Sequence, residues 1–250
     1  MLYESMQVIR SCSNIPGFNL AAEEYFFSQR RDEILFLYVN SPCVVIGCNQ
    51  AVLSEADMDF CSVHAIPVLR RMSGGGAVYH DKGNLNYCFI KNRVSGKFPL
   101  GSGFLQPIIQ VFGEMHVPAG VGKRKDLWLP DGYKISGTAS HVGKERELHH
   151  GTLLYDTDLE MLQQALSPKQ PECNPRAIAS VPSPVKNIRV YLSEQGMEAP
   201  EADDFFQQIT NGFLALYRQK SIDEPTPAET EQIQKIQSNT YDSEKWTYKK

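Results

Sequence analysis

The sequence has no long hydrophobic run, and this absence limits the kinds of protein it can be. No stretch approaches the roughly 20 apolar residues that a membrane span needs. The first residues, MLYESMQVIRSCSN, carry acidic and polar side chains where a secretory signal needs an apolar segment. We therefore expect a cytoplasmic protein with no membrane partner.

Paired cysteines and an excess of positive charge are also missing. Six cysteines are scattered along the chain, with no C-x-x-C pair and no cysteine–histidine cluster at zinc spacing: Cys12, Cys43, Cys48, Cys61, Cys88 and Cys173. This pattern indicates buried free thiols in a reducing compartment. The formal net charge of −4 gives no basic footprint, so a nucleic-acid partner is not expected.

The remaining composition is that of an ordinary globular protein. With 250 residues, 42% of them hydrophobic, the chain can form one sizeable domain, with or without a small appendage. Its periodicity predicts short strands alternating irregularly with helices, and several neighbouring strands are separated by turn-length segments. This order favours an α+β fold, with mixed, mainly antiparallel sheets and packed helices, over a doubly wound parallel sheet.

The apolar patterns predict these elements in detail. Helices are expected at 18–31, 51–64, 104–116, 158–166, 202–219 and 227–237, and strands at 34–39, 43–48, 66–71, 77–80, 85–90, 134–143 and 148–156. The first helix reads as amphipathic, with Glu23 and Glu24 on its polar side and Asn14 or Asn19 as its cap. Asp81-Lys82-Gly83 is predicted to join two strands as a turn, and 168–187, rich in Pro and Ser, reads as an ordered loop.

The glycine-rich segment RRMSGGGAVYHD, residues 70–81, is the strongest candidate for a binding site. A fold keeps consecutive glycines where the backbone is unusual or where a ligand approaches it closely. Their N–H groups can line an anion-accepting surface, to which Arg71 would add a cation and Ser73 a hydroxyl donor. The alternative is a flexible surface loop. The segment matches neither the P-loop nor the dinucleotide-binding fingerprint.

A second segment, Tyr133-Lys134-Ile135-Ser136-Gly137-Thr138-Ala139, places a lysine among small residues. On a regular strand Lys134, Ser136 and Thr138 would share one face, and the lysine could stabilise charge on an acyl carbonyl and a phosphate. The alternative is a solvated lysine on an exposed strand.

Two shorter segments are ambiguous by themselves. His149 and His150 lack a third metal ligand at sensible spacing, so a structural or substrate-shaping role is favoured over metal binding. In Arg124-Lys125-Asp126-Leu127 the carboxylate could hold Mg²⁺ on nucleotide phosphates, or the segment could be an ordinary charged loop.

Together these segments resemble lipoate–protein ligases of the biotin/lipoate ligase superfamily. RRMSGGGAVYHDKGNLNY is very similar to that family's long glycine signature, and KISGTA (134–139) and HHGTLL (149–154) match two further motifs. FNLAAEEY, Asp126-Leu127 and VPSPVKN fall into register as well. The resemblance covers roughly residues 15–248.

This resemblance implies a biotin/lipoate ligase-like fold and a two-step reaction. Lipoate and ATP, with Mg²⁺, would give lipoyl-AMP and pyrophosphate, and a lysine of a partner protein would then take the lipoyl group. The catalytic residue would be Lys134. The implied lipoate-binding residues are Arg71, Ser73, His80 and His150, and the implied ATP- and adenylate-binding residues are Gly75, Gly76, Val78, Tyr79, Lys134, Ser136 and Asp126. Asp126 would also serve the metal.

The family's acceptors are lipoyl domains of 2-oxoacid dehydrogenase E2 subunits and the glycine cleavage H protein, so these are the expected partners.

Two departures from the family pattern stand out. Lys125 occupies a position that is often Asn, and the chain ends about where the family's large domain ends. We expect residues 1–250 to form one catalytic domain without the C-terminal accessory domain, which a separate protein could supply.

Several alternatives remain open at the level of sequence. The chain could be a lipoyltransferase that uses preformed lipoyl-AMP, or a non-catalytic lipoate-binding regulatory module. A cysteine-dependent acyltransferase is less favoured, because DLWLPDGY before Lys134 has no cysteine. A biotin ligase is less favoured because its glycine signature differs.

Overall fold

The computed structural model describes residues 5–94, 102–169 and 177–249. Its strands are β1 Gln7–Arg10, β2 Ile34–Tyr38, β3 Cys43–Ile46, β4 Val68–Arg70, β5 Val78–His80, β6 Asn84–Asn92, β7 Gly120–Val121, β8 Leu127–Trp128, β9 Lys134–Ser136, β10 Thr138–Val142 and β11 Arg146–Leu154. Its α-helices are α1 Pro16–Gln29, α2 Val52–Glu55, α3 Met58–Val63, α4 Gln106–Glu114, α5 Leu159–Ala165, α6 Ile188–Glu194, α7 Ala202–Tyr217, α8 Pro227–Ile236 and α9 Glu244–Thr247. A 3₁₀ turn, Ser102–Phe104, precedes α4, and a π-helical turn, Gln237–Tyr241, follows α8.

These strands form three sheets. The main sheet has the order β1-β2-β6-β11-β10, and all its pairings are antiparallel except β1 with β2. A second sheet has the order β4-β3-β5, and a third the order β7-β8-β9. The prediction of an α+β fold with mainly antiparallel sheets is confirmed.

The main sheet is covered on both faces, which explains the continuous apolar runs ILFLY in β2 and YCFI (87–90) in β6. Along β6, Tyr87 and Phe89 pack into a core with α4 and α7, whereas Cys88 and Ile90 pack into a core with α1 and the C-terminal helices. Successive strand residues point to opposite faces, so a strand buried on both sides needs apolar residues at every position.

The buried cysteines follow from the same packing. Cys43, Cys61 and Cys88 are buried, Cys48 is partly exposed and Cys12 is exposed, and all five are free thiols. The prediction of free thiols is therefore confirmed for these five and that of burial for three. Cys173 lies outside the described residues.

Four local predictions were wrong. The segments 77–80 and 85–90 are not paired across a turn, because β5 joins β3 in the second sheet while β6 joins the main sheet. Helix α1 begins after Ile15 without a side-chain cap, so neither Asn14 nor Asn19 caps it. Both of its sides are covered, by the main sheet and by the C-terminal helices, and Glu23 is therefore buried rather than solvated. The predicted helix at 51–64 is also two helices, α2 and α3.

The C-terminal helix α9 fixes the strand that leads into the glycine segment. The buried Arg70 donates from Nε to the carbonyl of Thr247 at 2.8 Å, and Trp246 Nε1 donates to the Arg70 carbonyl at 2.7 Å. Arg70 Nη1 also donates to the Gly47 carbonyl at 3.0 Å. Helix α9 thereby sets the direction in which the chain enters the glycine segment. Within the described ranges, no helix has the length and apolar character needed to cross a membrane.

Candidate active site

A cavity of about 300 Å³ lies where the three sheets meet. Its walls come from the glycine segment and β5, from β9, from β10 and β11 of the main sheet, and from the segment 178–181. A volume of this size is at the lower end of what a small-molecule site requires. All the candidate segments that the sequence singled out therefore contribute to one space.

Lys134 and Asp126 form a charged pair on one side of this cavity. Lys134 Nζ lies 3.3 Å from Asp126 Oδ2, and both residues line the space. The other carboxylate oxygen of Asp126, Oδ1, accepts a hydrogen bond from Trp128 Nε1 at 2.8 Å, which fixes the orientation of the carboxylate. An ammonium next to an ordered carboxylate is suited to bind the phosphates of a nucleotide and to stabilise negative charge that develops there.

Arg71 lines the cavity but uses most of its donors to hold the glycine segment. Its Nε donates to Ser73 Oγ at 2.9 Å and its Nη1 to the Val45 carbonyl at 3.0 Å. Its Nη2 donates to the carbonyls of Gly74, at 2.5 Å, and Gly76, at 2.8 Å. Arg71 therefore braces the loop with four of its five N–H groups, while its side chain also lines the cavity. Burial lowers the pKa of Arg71 to about 10, so the group stays charged at neutral pH.

The glycines face the cavity as predicted. Gly75 and Gly76 both line it, and Gly75 has φ +85°, a backbone conformation that favours glycine. A Cβ at Gly76 would lie 2.8 Å from Ser180 Oγ, so this position must also remain small. The segment is held by hydrogen bonds from Arg71 to the Gly74 and Gly76 carbonyls, which favours the binding-site interpretation over a flexible surface loop.

Strand alternation separates the predicted residues of β5 and β11 into two groups. Val78, His80 and His150 face the cavity, whereas Tyr79 points into the core beside α2 and α3, away from it. His149 stacks on Phe104, with ring centroids 5.3 Å apart, on the opposite face of the main sheet from His150. The two histidines cannot share one metal ion, in agreement with the structural role favoured for them.

Two other predicted residues, Ser73 and Ser136, do not line the cavity. Ser73 is fully buried and its Oγ lies 2.7 Å from His150 Nε2. Ser136 is fully buried as well, with its Oγ 3.3 Å from the hydroxyl of Tyr87. The expected common face of 134, 136 and 138 fails because β9 is short and irregular: it ends at Ser136, and its pairing with β8 shifts register between Lys134 and Ser136, which interrupts the alternation of faces. Lys134 and Thr138 do line the cavity.

The segment 178–186 runs along the cavity, and its residues 178–181 form part of the cavity wall. None of these residues was among the site residues predicted from the sequence. Ser180 Oγ accepts a hydrogen bond from the Ala77 N–H at 2.8 Å and donates to Glu55. At the other end, the Lys134 N–H donates to the Pro184 carbonyl at 2.9 Å. This strap ties the glycine segment to the lysine strand. The motif VPSPVKN pointed to the region, but not to Ser180 as its anchor. The first part of the predicted loop, 170–176, lies outside the described residues.

We predict that the protein is less stable in acid, because two of its histidines are buried. Burial lowers the pKa of His149 to about 3, and the same cause lowers that of His80 to about 3. Below pH 6.5 both histidines become protonated in the unfolded chain but stay neutral in the folded chain. The free energy of unfolding therefore falls as the pH decreases towards 3. From pH 7 to pH 5 we expect a loss of about 2 kcal/mol for each group.

The variant His149→Phe isolates one of these groups while keeping the ring that stacks on Phe104. Urea unfolding of both proteins at pH 7 and pH 5 should show a pH-dependent loss that is about 2 kcal/mol smaller in the variant. An identical loss in the two proteins would show that His149 does not contribute to it.

Comparison with known proteins assigns the family. The profile described as "Lipoyl protein ligase A/B catalytic domain" matches residues 15–214. The chain is 34% identical to the lipoate-protein ligase LplJ of Bacillus subtilis over 241 residues, which are 94% of this chain and 71% of that one.

Solved structures agree on the fold. A bi-partite lipoate protein ligase from Thermoplasma acidophilum, studied with its E2 lipoyl domain, superposes with a TM-score of 0.79 at 22% identity, over 99% of this chain and 97% of that one. A lipoate-protein ligase A bound with ATP gives 0.80 at 22% identity, over 98% and 99%. The family match, the 34% identity to a ligase and the common fold together mean that this chain belongs to the lipoyl protein ligase A/B catalytic domain family.

Proposed function

We propose that this protein activates lipoate with ATP and transfers the lipoyl group to a lysine of a partner protein. The observation that carries the proposal is the Lys134–Asp126 pair, which faces a cavity closed on its other side by the braced glycine segment. A cation and a close-approach backbone loop are the two features that an adenylate-forming site needs, since the reaction requires no protein nucleophile.

In the first step a carboxylate oxygen of lipoate attacks the α-phosphorus of ATP, and the bond to the leaving pyrophosphate breaks. Lys134 stabilises the negative charge on the oxygens around the reacting phosphorus. The glycine segment lets the acyl-adenylate pass close to the backbone at Gly75 and Gly76. His150, His80 and Arg71 line the part of the cavity assigned to the lipoyl group, and Val78 supplies apolar contact.

In the second step the amine of an acceptor lysine attacks the acyl carbonyl carbon. An amide bond forms, AMP leaves with the bonding electron pair, and the amine loses its proton. The exposed Arg124 lies at the cavity, and with Lys123 and Lys125 it forms a basic rim suited to an acidic acceptor surface. The proposed acceptors are the lipoyl domains of 2-oxoacid dehydrogenase E2 subunits and the glycine cleavage H protein.

The donor set at Asp126 is compatible with Mg²⁺. The Oδ2 atom is buried and makes no hydrogen bond of good geometry within the described chain. Its nearest cationic nitrogens are Lys134 Nζ at 3.3 Å and Arg124 Nε at 3.9 Å. Mg²⁺ commonly binds through one or two carboxylates together with substrate phosphates. When bound, the ion would neutralise phosphate charge, and Asp126 is the residue that would hold it.

The deciding measurement is pyrophosphate release by the purified chain with lipoate and ATP. Release that requires both substrates, followed by lipoylation of an added lipoyl domain, is the expected result. If no pyrophosphate appears but supplied lipoyl-AMP is transferred, the protein is a transferase that depends on a separate activating component. Lipoate binding without either reaction would identify a regulatory module instead.

A further inference from the structure

A buried carboxylate beside the cavity has no part in the proposed reaction. Glu23 lies on α1 with 1% of its surface exposed. Its oxygens accept from the Tyr38 hydroxyl at 3.0 Å and lie 2.7 and 2.9 Å from His150 Nδ1. The Cys88 thiol lies within 4.8 Å of both the Glu23 carboxylate and the His150 ring. A carboxylate this deeply buried is costly without hydrogen-bond partners, and here Tyr38 and His150 supply them.

The partners of Glu23 determine where the protons of this cluster lie. A carboxylate oxygen accepts, so the assignment that satisfies both neighbours of the ring is the one in which His150 has its proton on Nδ1 and donates it to Glu23. His150 Nε2 is then an acceptor, and the Ser73 hydroxyl, 2.7 Å away, donates to it. Ser73 Oγ in turn accepts from Arg71 Nε. The chain of hydrogen bonds therefore has a single direction, from the cation of Arg71 to the anion of Glu23.

The far end of this chain is the glycine segment itself. Arg71 Nη2 bonds to the carbonyls on either side of Gly75, the residue with φ +85°. Helix α1 is thus connected through His150, Ser73 and Arg71 to the loop that closes the cavity.

The spacing of Glu23, His150 and Ser73 is also that of a carboxylate–histidine–serine nucleophile. Two observations exclude that role. Ser73 has no exposed surface and does not line the cavity, so a substrate cannot reach Oγ. Its oxygen also accepts a hydrogen bond from the Arg71 cation, which occupies one of its two lone pairs and makes the oxygen a weaker nucleophile. The hydrogen bonds among Glu23, His150 and Ser73 therefore hold these side chains in position and do not activate a nucleophile.

We propose that Glu23 is a positioning residue for the lipoate end of the cavity: it fixes the Nδ1–H form and the orientation of His150, whereas Arg71 holds the glycine segment by its own bonds to the Gly74 and Gly76 carbonyls. This inference rests on the proposed function, since it assigns the wall formed by His150 and Arg71 to lipoate. Because Lys134 and Asp126 lie outside the chain of hydrogen bonds, Glu23 should influence lipoate much more than ATP.

Two variants of Glu23 test the proposal by steady-state kinetics. Glu23→Met keeps the length of the side chain but removes both acceptor oxygens, and we expect the KM for lipoate to rise at least tenfold while the KM for ATP changes less than twofold. Small misplacements of a positioning group cost as much as about 100-fold. Glu23→Gln retains one oxygen that can accept from Tyr38 and His150, so it should give an intermediate KM for lipoate.

The neighbouring Glu24 provides a matched control. It lies on the same helix and accepts a hydrogen bond from a tyrosine, Tyr241, at 2.7 Å, but does not line the cavity. Glu24→Met should leave the KM for lipoate within twofold of wild type. If the Glu23 variants raised both KM values equally, or if Glu24→Met matched Glu23→Met, the role would be general support of the fold and the proposal would fail.

A spectroscopic measurement tests the inference independently of activity. In ¹⁵N NMR spectra of the imidazoles, with the His150 signal identified from a His150→Asn sample, wild type should show the Nδ1–H form. Glu23→Met should convert it to the Nε2–H form, which then donates to Ser73. An unchanged tautomer overturns the proposal even in an active enzyme. An inactive wild type with the predicted tautomer change refutes only the proposed function.

Discussion

Replacing Lys134 with alanine is expected to abolish lipoate- and ATP-dependent pyrophosphate release while leaving the fold intact. The side chain supplies the positive charge that lies 3.3 Å from Asp126 in the cavity. Removing one preorganised charged or donor group at a developing anion reduces turnover by about 100- to 1,000-fold. The fold should survive because Asp126 retains its hydrogen bond from Trp128. Turnover would be measured as pyrophosphate release, and folding by circular dichroism.

A nearby lysine controls for the loss of charge in general. Lys186 donates its backbone N–H to the Lys134 carbonyl at 3.2 Å, but its ammonium pairs with Asp131 and Glu194, each at 2.8 Å, and does not line the cavity. Lys186→Ala should therefore keep turnover within about threefold of wild type. Normal turnover in Lys134→Ala would refute the assignment of Lys134, and equal losses in the two variants would attribute the effect to the strand rather than the charge.

Gly75→Val is the second change for which a large effect is expected. The φ of +85° at this position is strained for any residue with a side chain, and a β-branched residue is the least tolerant. A Cβ would lie 3.1 Å from Arg71 Nη2 and 3.3 Å from Ala139 Cβ, and the branches would extend into the space assigned to the ligand. We expect a loss of about 1–3 kcal/mol in stability and a much lower affinity for lipoate.

The adjacent glycine is the matched control. A Cβ at Gly74 would meet no atom within 4 Å, and the backbone there does not have a positive φ. Gly74→Val should leave lipoate affinity, measured by calorimetry, within a few-fold of wild type. Unchanged affinity in Gly75→Val would mean that the ligand does not pass this residue.

The sequence was most informative where function depends on a local pattern. The glycine segment, Lys134 and Asp126 were singled out from local patterns of a few residues, and the structure brings them together around one cavity. The apolar runs of β2 and β6 likewise predicted strands, since a short continuous apolar run is typical of a strand buried on both faces.

The sequence was least informative where a residue's environment comes from distant segments. Glu23 was assigned to a solvated face because its helix reads as amphipathic in isolation, but its partner His150 is 127 residues away. Ser136 and Tyr79 were assigned to the site by motif, and their burial depends on where one strand ends and on which face of another is covered. The pairing of β5 with β3 instead of β6 is a non-local choice of the same kind.

The strap anchored by Ser180 has a consequence for how the protein folds. Its contact with Ala77 spans 103 residues, and its contact with Glu55 spans 125. Contacts between such distant segments close large loops and therefore form late and cooperatively. The cavity lacks one wall until the strap is in place, so we expect regain of activity during refolding to coincide with the last kinetic phase. Activity would then report completion of the native state more faithfully than helix content does.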